Sequence, residues 1–115
     1  MRRAVAGVLL AMLLPGLAAG AEVGSQSVTV DPQAAAAQTV VVAQGSHARV
    51  TILGAGAGEV HFHAYHIEVQ AVQGQPVTLE FDAAAAGRFP VEMHVDDPLL
   101  GQRERAVLFI EVRAP

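Results

Sequence analysis

From Thr39 onward the chain alternates apolar and polar residues with a period of two, the spacing that turns one face of a strand to a core and the other to water. Ala48 to Leu53 (ARVTIL) sets Val50 and Ile52 against Arg49 and Thr51. Val77, Leu79 and Phe81 alternate with Thr78, Glu80 and Asp82, and Phe89, Val91 and Met93 with Pro90, Glu92 and His94. Thr39 to Ala43 (TVVVA) is β-branched, and Ala106 to Val112 (AVLFIEV) is an apolar closing strand. Turn residues separate these runs at Gln44-Gly45-Ser46, Gly54 to Gly58, Gln73 to Pro76 and Ala83 to Gly87, while Asp96 to Arg105 reads as a polar loop. About six or seven short strands between turn signals predict a β-sandwich or barrel.

One stretch breaks phase. In Val60 to Val72 (VHFHAYHIEVQAV) the apolar positions are Val60, Phe62 and Ala64, then Ile67, Val69 and Ala71. A slip of one residue turns every later side chain to the opposite face. The pattern therefore predicts a kink or bulge near Tyr65-His66 that keeps both apolar sets on the core and puts His66 on the polar face of His61 and His63.

Before Thr39 the pattern differs. Met1-Arg2-Arg3 is basic, Ala4 to Leu17 is almost wholly apolar, and Ala19-Gly20-Ala21 offers small residues at a cleavage site. That order predicts a signal peptide over 1–21, cut before Glu22. A lead-in over 22–38 follows, with an edge strand near Val28 to Val30 and a loop or short helix at Ala34 to Ala37. The β domain then occupies 39–115. Export places the protein in the periplasm or outside the cell. No later segment has the roughly 20 apolar residues a membrane span needs.

Charge narrows the partners. The 115-residue chain has no lysine and eleven acidic residues, and cleavage leaves five arginines against them, a net charge of −6. An acidic surface disfavours nucleic acid and anionic membranes and favours cations. The chain has no cysteine, which removes disulfides, zinc–thiolate sites, iron–sulfur clusters and cysteine nucleophiles.

Three segments from His61 onward resemble the cupredoxins, in particular exported cupredoxin-like domains and the copper domain of cytochrome oxidase subunit two. His63-Ala64-Tyr65-His66-Ile67 is similar to the segment that follows a ligand histidine with a small residue, an aromatic and a strand. Val72-Gln73-Gly74-Gln75-Pro76-Val77-Thr78-Leu79-Glu80-Phe81 is similar to the family's turn and strand, and Ala86-Gly87-Arg88-Phe89-Pro90-Val91-Glu92-Met93-His94 to the strand that ends at the ligand cysteine. The resemblance covers a little over half of the chain after cleavage and implies a Greek-key β-sandwich of the cupredoxin type. It departs from the family where a blue-copper centre needs its thiolate, since Met93 stands at the cysteine position and no later ligand histidine and methionine follow. It also implies that His63 and Met93 lie near one another at one end of the sandwich.

The chemistry left is imidazole and thioether. His63 is the first candidate ligand, with Met93, His94, His61 and His66 beside it, and copper is the cofactor these donors suit. Each of these residues also has a plainer reading, the histidines as the solvent face of half-exposed strands and Met93 as core. His47 reads as a surface loop residue. Phosphate loops, nucleophile elbows and zinc-protease helices are absent from the sequence, so the expectation is a binding protein and not an enzyme. The leading expectation is periplasmic copper handling with a copper-delivery partner. The alternatives are a metal-free structural or interaction module and a domain whose histidine strand responds to pH.

Overall fold

A computed structural model describes residues Val23–Pro115, so the expected signal peptide over 1–21 lies outside the described residues. Eight strands follow in order: β1 (Val23–Thr29), β2 (Gln38–Ala43), β3 (His47–Leu53), β4 (Gly58–Phe62), β5 (Ile67–Ala71), β6 (Val77–Asp82), β7 (Gly87–Asp97) and β8 (Gly101–Arg113). They form a three-stranded sheet, β1-β3-β6, and a five-stranded sheet, β2-β8-β7-β4-β5. Each sheet is mixed: β1 runs parallel to β3 and β2 parallel to β8, while the remaining pairs are antiparallel.

The alternation read from the sequence is what closes the sandwich. Val50, Ile52, Leu79 and Phe81 from one sheet and Val60, Phe62, Val91, Met93, Leu108 and Ile110 from the other join a single buried cluster. Their polar neighbours in sequence face outward, as the period of a strand requires. The all-β sandwich expected from the pattern is the architecture of the described residues.

Three local expectations are corrected. The lead-in holds a full strand, because β1 pairs along its whole length with β3. The polar loop from Asp96 to Arg105 is instead the end of a long hairpin: β7 runs to Asp97, and Asp97 Oδ1 accepts from the Leu99 and Leu100 N–H groups at 2.8 and 3.0 Å to form the turn. The phase break in Val60 to Val72 is a chain reversal and not a bulge. A 3₁₀ turn over His63–Tyr65 and a left-handed His66 fold β5 back on β4, pairing Phe62 with Ile67 and Val60 with Val69. Even positions on β4 thus face odd positions on β5, which is why the apolar set changes parity while staying on the core.

The outer face of the smaller sheet carries a charged trio. His47 Nδ1 lies 2.6 Å from Asp82 and its Nε2 2.6 Å from Glu80. The hydrogen bond to Asp82, then that to Glu80, holds the imidazole above its ordinary value of 6.5. Glu80 is lowered from 4.5, chiefly by the same His47 bond, and Asp97 from 3.8 by its turn N–H bonds. A raised histidine stabilises below its unfolded value and loses that contribution as pH climbs through the folded value. The lowered carboxylates stabilise above their unfolded values and lose it as pH falls. Thermal unfolding with chelator present should therefore show greatest stability between about pH 4.5 and 6.5. His47→Gln should flatten the alkaline side, and an unchanged alkaline slope in that variant would refute the assignment.

Candidate metal centre

The outer face of the five-stranded sheet gathers the histidines. On β4, Glu59 and His61 alternate with the core residues Val60 and Phe62 and so take the outer face, and register brings other strands to them. His61 pairs with Glu68 on β5 and with Glu92 on β7, and His94 on β7 pairs with Glu104 on β8.

Glu104 reaches this face because of an irregularity. Val91 pairs with Leu108 but Glu92 with Ala106, so β8 holds one extra residue, Val107, opposite that step. A bulge of this kind changes which side later residues face. Beyond it, Leu108, Ile110 and Val112 lie in the core, yet the even-numbered Glu104 stands outside beside His94.

His61 is the centre. Its ring stacks on His63 at 5.3 Å between centroids and meets His94 edge-on at 5.7 Å. Its Nε2 lies 3.0 Å from Glu59 and 3.9 Å from Glu104, and its Nδ1 3.1 Å from Glu68. His63 Nε2 lies 3.5 Å from Glu92 and 3.8 Å from Glu104. Glu59, His61 and His94 offer ligand atoms within 4.8 Å of one another, and so do His61, His63 and Glu104.

Burial makes His61 unusual. It is 7% exposed, the one buried polar residue among those described, while His63 and His94 are exposed. Both its ring nitrogens are buried without a hydrogen bond. The carboxylates stand at ion-pair distance, but no ring N–H points along a line to an oxygen. His47 shows the contrast, since both its nitrogens bond carboxylates at 2.6 Å. A buried polar atom without a partner costs about 1–3 kcal/mol. A cation held by His61 would use the nitrogen that is otherwise idle. Imidazole and carboxylate donors around such an atom fit a divalent metal of the copper–zinc group.

The structure treats the five sequence candidates differently. His61, His63 and His94 come together. His66 lies outside both groups, exposed on the turn. Met93 is a neighbour of the site in sequence, but it pairs with Val60 on the core face, is 2% exposed, and runs its methyl beneath Gly58. Met93 therefore faces the core, whereas His63 stands exposed in the turn that follows β4. Sequence reasoning passed over Glu59, Glu68 and Glu104. Glu59 was accessible from its alternation with His61, and Glu68 from the hairpin pairing; Glu104 depends on the bulge.

No family model matches the chain, and no curated protein does. Among solved structures, the chain is similar to one described as a copper binding protein in the apo form, determined in solution, at 12% identity and a TM-score of 0.46 over 79% of this chain and 97% of that one. A likeness this distant is no ground for assigning a ligand, and the case for a metal rests on the residues around His61.

Proposed function

We propose that this chain is an exported, cupredoxin-like copper-binding protein whose metal site is the histidine–carboxylate cluster on the outer face of the five-stranded sheet. The observation that carries this reading is the buried His61, with two idle nitrogens, shared by two overlapping groups of donors. His61, His63 and His94 supply imidazoles, and Glu59 and Glu104 supply carboxylates. Glu68, 3.1 Å from Nδ1, adds a further carboxylate beside the ring and raises the negative charge that favours a cation there. Copper(II) heads the divalent series for such donors, and a thioether confined to the core leaves copper(I) without its preferred ligand. The role that follows is binding and passing on copper outside the cytoplasm, with a delivery partner and no catalysis.

The test is a copper(II) titration against a competing chelator, for the protein and for His63→Ala. One copper per chain with a Kd of about 1 μM or tighter is expected. The variant should bind at least about tenfold more weakly, since losing even a residue that only supports a ligand costs about 10–100-fold. Affinity should fall as pH is lowered, because protons compete with the metal for imidazole and carboxylate donors. Weak binding, unchanged in the variant, would refute the copper reading. It would favour the metal-free interaction module, for which the exposed Leu99 and Leu100 at the hairpin tip are the supporting feature.

A further inference from the structure

The turn between β4 and β5 borders the cluster. It encloses a cavity of about 440 Å³ lined by His63, His66, Ile67 and Glu68. Two of these residues belong to the cluster's surroundings: His63 stacks on His61, and Glu68 lies 3.1 Å from His61 Nδ1. The cavity therefore adjoins the metal centre and is open to solvent.

His66, like Glu68, belongs to neither group of donors. Its backbone sits at φ 56°, ψ 42°, with its N–H donating to the His63 carbonyl at 3.1 Å. Glycine adopts this left-handed conformation without steric cost, and asparagine visits it more readily than most side chains. The turn itself has no need of an imidazole. Yet it is an exposed imidazole that lines the cavity there.

We propose that this cavity is the port through which copper(II) reaches the cluster while still attached to a small amine- or carboxylate-bearing carrier, with His66 as the first ligand taken up and the last given back. The proposal rests on the copper reading and adds a route to it. Copper held by a chelator passes on most readily when an incoming ligand binds before an outgoing one leaves. An exposed imidazole beside the site lowers that barrier without changing either end state. Uptake and release then quicken together, and affinity stays the same.

The test compares the full chain with His66→Gly and His66→Asn, both of which keep the left-handed turn. Copper(II) is supplied as its bis-glycinate complex and removed by excess ethylenediaminetetraacetate, with both steps followed by stopped-flow absorbance. Each step should slow about tenfold in both variants, a rise in barrier of about 1.4 kcal/mol. The equilibrium Kd should stay within about twofold of the parent. His47→Gln, on the opposite sheet, should change neither rate. Tight binding by the parent with unchanged rates in the variants overturns the port alone. A weakened Kd with unchanged uptake overturns it too, making His66 an equilibrium ligand. Failure of the parent to bind copper overturns the copper reading and the port with it.

Discussion

His61→Leu is expected to abolish tight copper binding while leaving the fold in place, and Met93→Ala is expected to do the reverse. Both donor groups contain His61, so its loss leaves Glu59 with His94 and His63 with Glu104, each a two-donor remnant. A loss of at least about a thousandfold in affinity follows, close to 4 kcal/mol. Leucine removes no aligned hydrogen bond, and the ion-pair contacts it loses, to Glu59 and Glu68, are with solvent-exposed carboxylates and worth little. Metal-free stability should therefore stay within about 1 kcal/mol of the parent. Met93 is 2% exposed in the core, and truncating it costs about 2–5 kcal/mol through lost contacts and the cavity left behind. Under conditions where Met93→Ala remains folded, its copper affinity should match the parent's. Urea unfolding and a copper titration on each variant decide the matter. A Met93→Ala protein that stays stable but loses copper would make the thioether a ligand and overturn the site.

Phe62→Ala should be the most damaging single change in the domain. Phe62 is fully buried on β4 and meets Phe81 of the opposite sheet at 5.1 Å between ring centroids. Tyr65, from the adjoining turn, lies 5.2 Å from Phe62 and 4.6 Å from Phe81. Phe62 therefore joins the two sheets and also supports the turn beside the proposed metal centre. Removing a buried phenylalanine costs about 3–5 kcal/mol. Small domains hold only about 5–15 kcal/mol in all. The melting temperature should fall by roughly 12–40 °C in a domain of this size. Because His61 and His63 flank Phe62, copper should recover part of the loss, about 2.7 kcal/mol at a hundredfold excess over Kd. A fall of less than about 4 °C, or a melting point that copper does not raise, would contradict the account.

Most of the sandwich was legible in the sequence because a strand's period is local. Val50 and Ile52 against Arg49 and Thr51, or Leu79 and Phe81 against Glu80, declare their faces without reference to any partner. His61 and His63 were marked as candidates by the same local reading. Other features were hidden because they depend on which segments pair. The residues 22–38 alternate strongly enough to announce only a short edge strand near Val28 to Val30, and β1 reaches back to Val23 through its parallel pairing with β3. Asp96 to Arg105 reads as a loop by composition, yet the hairpin register extends strands through most of it.

The sequence by itself determined the all-β class, the buried apolar set, the absence of thiolate chemistry and the histidine-rich strand. These follow from residue type and a two-residue period, which every strand obeys whatever its neighbours. Only the tertiary structure decided which donors meet. The β4–β5 reversal set Glu68 against His61 and left His66 exposed in the turn, lining the cavity. The register of β4 with β7 brought His94 to the outer face and kept Met93 within. The extra residue Val107 in β8 turned Glu104 to the same side. A local pattern fixes which face a residue takes within its own strand, whereas which strands pair, and where a bulge shifts their register, follows from the packing of whole strands against one another.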